Sequence, residues 1–233
     1  MNSSPREIEV HVETGAATTA LVYPASDPGV GATLILGHGA GAGQHSGFMM
    51  STSRALAALG LDVVTFNFLY TERRRHIPDR APVLEACYRS VIETVRREVN
   101  SARSWMFIGG KSMGGRIATQ VAASGSELPI AGVVLLGYPL HPPGRPDQRR
   151  DKHLPSVGRP MLFVQGSRDG FGTPAELSPV LTSLDSKATL HVVDGGDHSF
   201  KLSRHDTAKQ KAVFEDVERT IVEWMNGVMR TAG

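Results

Sequence analysis

The chain reads as an α/β protein, a mostly parallel sheet with helices on both of its faces. Three observations carry that expectation. Short apolar runs alternate along the chain with longer segments whose apolar residues recur at helical spacing. The central runs, such as Ala32 to Leu36 and Ala131 to Leu136, are continuously apolar, as strands covered on two sides require. Glycine-rich loops follow several of these runs at once, where strands of such a sheet hand over to helices.

Taken in order, Glu7 to Thr14 and Thr18 to Tyr23 predict an antiparallel edge pair around Gly15-Ala16. Ala32 to Leu36 is the first buried strand, and it empties into Gly37-His38-Gly39-Ala40-Gly41-Ala42-Gly43. Phe48, Thr52, Ala55, Leu56 and Leu59 then share one helix face, with Gly60 as the stop. Asp62 to Phe68 is a strand, Tyr70 to Pro82 a basic loop, and Val83 to about Val99 a helix with Val83, Cys87, Val91 and Val95 in line. Arg103 to Ile108 is a strand and Met113 to Ser124 the helix after it. Ala131 to Leu136, Pro160 to Gln165 and Ala188 to Val193 complete the strands, with a helix over Pro174 to Leu184. A C-terminal helix buries Phe214, Val217, Ile221, Met225 and Val228. The segment Leu140 to Arg159 is too short for a domain but long enough for a rim or partial flap. No internal repeat or boundary divides residues 1–233, so a single domain without a large cap is expected.

The chemistry concentrates at Ile108-Gly109-Gly110-Lys111-Ser112-Met113-Gly114-Gly115. Within it, Gly110 to Gly114 matches G-x-S-x-G, the tight strand-to-helix turn that exposes a serine hydroxyl. The neighbouring Gly110-Lys111-Ser112 could end a phosphate-binding loop, but that loop needs a glycine where Trp105 stands. A serine needs a base and an orienting acid, which in this architecture should follow later strands. Asp169 follows Pro160 to Gln165, and His198 follows Ala188 to Val193. Either alone fits a turn or a loop brace, but the order Ser112, Asp169, His198 is the order expected of a triad on such a sheet. Asp194 and Asp197 compete with Asp169 for the acid's place.

Two amides should bind the oxyanion: that of Met113, after the serine, and that of Ala40 in the first glycine loop. That loop also resembles a dinucleotide fingerprint, but Asn67-Phe68 occupies the place of the ribose-binding acid. His38, Gly39, Gly41, Lys111 and His141 are candidates to line the substrate pocket.

The segments Gly37 to Gly43, Gly109 to Arg116, Tyr138 to Gly144, Gln165 to Asp169 and Gly196 to Phe200 together resemble the small α/β-hydrolases. The chain is most similar to the lidless branch of bacterial relatives of the testis-expressed and NSL-complex-subunit proteins, and also resembles the dienelactone hydrolases. The resemblance runs from about Thr33 to the C-terminal helix. It implies an α/β-hydrolase fold, with Ser112, Asp169 and His198 on the family's triad positions. Dienelactone hydrolases carry a cysteine nucleophile where Ser112 stands here, so their lactone chemistry does not transfer.

Composition narrows the rest. The 233 residues are 40% hydrophobic and 21% charged, with a formal charge of +2 that gives no argument for nucleic acid. One cysteine, Cys87, leaves no intramolecular disulfide and points to a reducing, cytoplasmic setting. Met1 to Pro5 lacks the apolar core of a signal peptide, and no run reaches the roughly 18 apolar residues of a membrane span. No H-E-x-x-H or Cys/His cluster calls for a metal, and no cofactor is expected.

The sequence thus predicts a serine hydrolase acting on a small-molecule ester, thioester or amide. A non-catalytic interaction module that keeps the fold is the alternative. Arg73, Arg74, Arg75, Arg145, Arg149, Arg150 and Lys152 lie in loops after strands and would favour an anionic substrate, unless nearby acids neutralise them.

Overall fold

The computed structural model describes residues 4–13, 15–26, 28–125, 127–184, 187–203 and 206–232. Eight strands form one sheet: β1 (Arg6–His11), β2 (Ala17–Tyr23), β3 (Ala32–Gly37), β4 (Asp62–Phe66), β5 (Trp105–Lys111), β6 (Gly132–Leu136), β7 (Met161–Gly166) and β8 (Ala188–Val193). Their spatial order is β1-β2-β4-β3-β5-β6-β7-β8. β1 pairs antiparallel with β2, and β2 antiparallel with β4; the pairs from β4 through β8 are parallel. The expected first strand is shorter than predicted, ending at His11, and Thr14 lies outside the described residues.

The helices are α1 (Gly47–Ala58), α2 (Leu69–Glu72), α3 (Ala81–Glu98), α4 (Met113–Ser124), α5 (Pro174–Thr182) and α6 (Thr207–Ala232). Two separate apolar cores account for the two-sided cover. Leu56 of α1 and Val217, Ile221 and Met225 of α6 pack with Leu34, Phe107 and Val134 of the sheet. Tyr88, Val91 and Val95 of α3, Ile117 and Val121 of α4, and Leu177 of α5 pack with Ile35, Ile108 and Leu135. Alternate residues of β3, β5 and β6 therefore feed opposite cores, which explains why these strands are apolar throughout.

Several predicted boundaries move. Leu59 was expected on the buried face of its helix but is 45% exposed, beyond the end of α1, where the chain turns at Gly60 with φ 91°. The strand predicted to Phe68 stops at Phe66, and the basic loop begins with the single turn of α2. The strand predicted to end at Ile108 continues to Lys111, because Gly109 and Gly110 still pair with β3 and β6. The rim segment after β6 is pinned by a 3-10 turn, Leu154–Val157, whose Leu154 and Val157 are buried in the α4 core.

This order creates the crevice. The chain goes from β3 to β4 on one side of it, then crosses back to place β5 on the other. The loop leaving β3 leads to α1 on one face, whereas β5 leads directly to α4 on the other. Strand exits that diverge in this way open a cleft at the carboxyl edge of the sheet.

The two strands are tied just below that cleft by Tyr88 of α3. Its buried hydroxyl donates to the Gly109 carbonyl (2.7 Å), lies 3.0 Å from the Ile35 carbonyl, and accepts from the Gly109 amide (3.0 Å). One residue earlier on α3, Cys87 is fully buried, and burial pushes its thiol pKa up to about 12. Tyr88→Phe keeps the ring but leaves the Gly109 amide without its partner, so urea unfolding should show a loss of about 1–3 kcal/mol. A variant as stable as the parent would mean that the hydroxyl is dispensable.

Candidate active site

Ser112 sits between β5 and α4 with φ 50° and ψ −114°, a backbone conformation that a side-chain-bearing residue rarely adopts. Strain of that kind, on the order of 1–3 kcal/mol, persists only where the surroundings enforce it. Here the Ser112 amide donates to the Leu136 carbonyl of β6 (3.0 Å) and its carbonyl accepts from Arg116 (3.1 Å). The flanking glycines permit the turn to close. A Cβ at Gly110 or Gly114 would run into the backbone carbonyl of Gly37 at the end of β3.

The serine hydroxyl lies 2.9 Å from Nε2 of His198, and Nδ1 of the same ring is 2.8 Å from Asp169 Oδ2. A carboxylate at Nδ1 fixes the tautomer: Nδ1 carries the proton and Nε2 is left to accept from Ser112. Asp169 is fully buried, yet its carboxylate is well supplied with donors. Besides His198, it accepts from Gln165 Nε2 at Oδ2 (2.8 Å) and from the Phe171 amide at Oδ1 (2.8 Å). Gln165 in turn accepts from the Tyr138 amide (2.8 Å) and donates to the Gly172 carbonyl (2.7 Å), coupling the loops after β6 and β7.

The structure separates the three acids. Asp197 Oδ1 accepts from the Ser199 and Lys201 amides (2.7 and 2.9 Å), so it folds the loop that carries His198 and does not hold the ring. Asp194 meets Ser167 at 3.4 Å. The imidazole is further held by Phe171, stacked against it at 4.2 Å and 29°.

Lys111 lies beneath this arrangement, 8% exposed, and donates to the His198 carbonyl (2.6 Å). Its ammonium also faces the rings of Phe48 and Phe200 at 5.8 and 6.0 Å. Burial lowers its pKa from 10.5 to about 8, against the opposing pull of Asp169 and Asp197.

A cavity of about 520 Å³ opens over Ser112 and His198. Met49, Leu84, Met113 and Phe171 give it apolar walls; Lys111, Arg116, Arg150 and Asp79 bring charge. Ala40 and Met113 both line it, and among the described residues neither amide donates a loop or capping hydrogen bond. The segment after β6 contributes Pro139 and Arg150, so it forms a rim and no large cap covers the cavity.

Of the pocket candidates, Gly39 and Lys111 line this cavity, but three do not. His38 is fully buried below its loop: Nδ1 is 2.8 Å from the Gly39 carbonyl, and Nε2 accepts from the Phe68 amide (3.2 Å). Burial lowers its pKa, as suits a neutral ring with that acceptor nitrogen. Gly41 faces a separate hollow with Tyr70 and Arg74. His141 points away to Glu176, the N3 residue of the capping box of α5 (3.1 Å), and to the Pro142 carbonyl (2.9 Å).

The basic rim is likewise narrower than expected. Arg75 pairs with Asp79 and Arg149 with Asp151, while Arg73, Arg74, Arg145 and Lys152 are exposed outside the cavity. Three neighbours of the candidate site received no role in the sequence reading. Gln165 carried a signal, a lone amide ending a buried apolar strand; Phe171 and Arg116 carried none. Among the described residues, no three His, Cys, Asp or Glu side chains cluster to hold a metal ion, and no helix is long and apolar enough to cross a membrane.

This chain belongs to the α/β-hydrolase domain family, whose sequence model matches residues 30–226. Solved structures agree in fold. A lidless α/β serine hydrolase from Xanthomonas campestris superposes with a TM-score of 0.74 at 21% identity, over 96% of each chain. A dienelactone hydrolase from Anabaena variabilis gives 0.69 at 22% identity, over 93% of this chain and 97% of its own. The esterase domain of a Rhodothermus marinus protein gives 0.71 at 14% identity, over 96% and 98%.

The lowered pKa of Lys111 links to stability with a definite sign. Below about pH 8 the lysine is protonated in both states, and the full cost of burying the charge is present. Between about 8 and 10.5 the folded lysine has lost its proton and the unfolded one has not, so that cost is relieved as pH rises. Relative to Lys111→Met, the parent should therefore gain stability across this window, on the order of 3 kcal/mol. Parallel denaturation curves at pH 7 and 10 measure the difference; a constant offset would mean that folding does not lower the Lys111 pKa.

Proposed function

We propose that the chain works as a single-domain serine hydrolase on esters, thioesters or amides of small or exposed acyl groups. The observation that carries this reading is the hydrogen-bonded series Asp169–His198–Ser112, ending in a hydroxyl at the floor of an accessible cavity. His198 Nε2 removes the hydroxyl proton as Ser112 Oγ attacks the carbonyl carbon. Asp169 holds the ring and stabilises the imidazolium that forms. The carbonyl oxygen becomes an oxyanion received by the Ala40 and Met113 amides, whose loops approach the serine from the ends of β3 and β5.

Collapse of the tetrahedral intermediate breaks the bond to the leaving group, which takes its proton from His198. Water then enters by the reverse sequence: His198 accepts its proton, the acyl–Oγ bond breaks, and Ser112 is restored. The strained backbone of Ser112 supports this role, since it holds Oγ toward the cavity without a search among rotamers of a relaxed turn. The apolar walls around Met113 and Phe171 suit an acyl or leaving group of modest size.

A fluorophosphonate probe should label the wild type and fail to label Ser112→Ala. With a turned-over ester in hand, Ser112→Ala should lower kcat by roughly 10⁵–10⁶. Asp169→Asn should lower it by about 10⁴, because an amide at Nδ1 no longer selects the productive tautomer. Folded wild type that resists the probe would sink this reading and leave the non-catalytic interaction module.

A further inference from the structure

We infer that Arg116 and Arg150 form an anion-binding subsite in the cavity over Ser112, selecting substrates whose acyl or leaving group carries a carboxylate or a phosphate. This deepens, and rests on, the hydrolase reading of Ser112. The case begins with position. Arg116 stands one turn along α4 from Ser112, its amide on the Ser112 carbonyl, and its side chain lines the same cavity. Arg150 reaches that cavity from the rim segment, where its backbone is held at both ends. Its amide donates to the Leu140 carbonyl (2.8 Å) and its carbonyl accepts from the Tyr138 hydroxyl (2.6 Å).

Charge accounting singles these two out. Of the other charges at the cavity, Asp79 is paired with Arg75, and Lys111 has no ion pair but donates to the His198 carbonyl and feels the carboxylates of Asp169 and Asp197. Asp151, next to Arg150 in the chain, is taken by Arg149 through Nε and Nη2 (3.0 and 2.6 Å). Among the described residues, neither Arg116 nor Arg150 has a carboxylate partner, although both are half-buried. They also feel each other: burial, and then the charge of Arg116, work against the charged form of Arg150.

Two half-buried guanidiniums without a counter-ion are costly to hold, and a bound oxyanion relieves both the desolvation and the mutual repulsion. The guanidinium fork matches the paired oxygens of a carboxylate or phosphate. A rigid helix and a backbone pinned at both ends limit the ordering cost on binding. The subsite would thus orient an anionic group at a fixed offset from the serine.

The test compares 4-nitrophenyl hemiglutarate with 4-nitrophenyl valerate, esters of equal acyl length that differ in a terminal carboxylate. Wild type should favour the hemiglutarate in kcat/KM, less so as ionic strength rises. Arg116→Gln and Arg150→Gln should each lower the hemiglutarate-to-valerate ratio by about tenfold to a hundredfold, with much of the change in KM. Arg150→Lys should restore part of it and guards against a misfolded glutamine variant.

A ratio unchanged in both glutamine variants would overturn the subsite. A second arm does not depend on turnover. In Ser112→Ala, glutarate or inorganic phosphate should raise Tm, and Arg116→Gln added to that background should abolish the rise. A rise with glutarate alone assigns a carboxylate, and with phosphate alone a phosphate. If wild type cleaves neither ester, the fluorophosphonate probe still decides the hydrolase reading and this arm decides the subsite by itself: no Tm rise with either anion rejects it.

Discussion

The top of the sheet depends on how closely the last residue of β3 approaches the turn after β5. Gly37 presses its carbonyl into space that a side chain at Gly110 or Gly114 would occupy. That contact leaves the chain at Ser112 little choice but a positive φ, with its hydroxyl directed away from the sheet. The same approach brings Ala40 and Met113 to the wall of one cavity. Backbone proximity here therefore precedes any side-chain chemistry, and Tyr88 secures it from below through groups on both strands.

A second layer of order surrounds the imidazole. Asp169 grips it from one end, Phe171 covers a face, and Lys111 and Asp197 hold the backbone of its loop. The groups responsible come from β5 and from the loops after β7 and β8, so the ring's position reflects the register of three strands. Lys111 contributes this at the cost of keeping an ammonium out of water, offset in part by two aromatic faces and two carboxylates nearby.

Much of this was legible in the sequence, and for identifiable reasons. Parallel strands buried on two faces write continuous apolar runs, and strand order forces functional loops to one edge. Ser112, Asp169 and His198 could thus be read as a set before any coordinates. Side-chain direction was not legible. His38 and His141 sit in loops at that edge, yet each turns inward to brace its own loop, a choice made by the Phe68 amide, a donor at β4's exit, and by the Glu176 carboxylate on α5. The long basic segments misled in the same way, because local pairing such as Arg149 with Asp151 depends on backbone conformation rather than composition. Arg116 is legible only as the end of the Gly109 to Arg116 segment and receives no role from sequence, since only the rim segment gives it a cavity to face.

The burial of Cys87 has a practical corollary. A thiol held at about 12 and sealed on the buried face of α3 exposes almost no thiolate at neutral pH, so alkylating reagents meet it only when that core opens. As the chain's one sulfhydryl, it is a native clock for opening of that core, readable by mass without a label or a mutation.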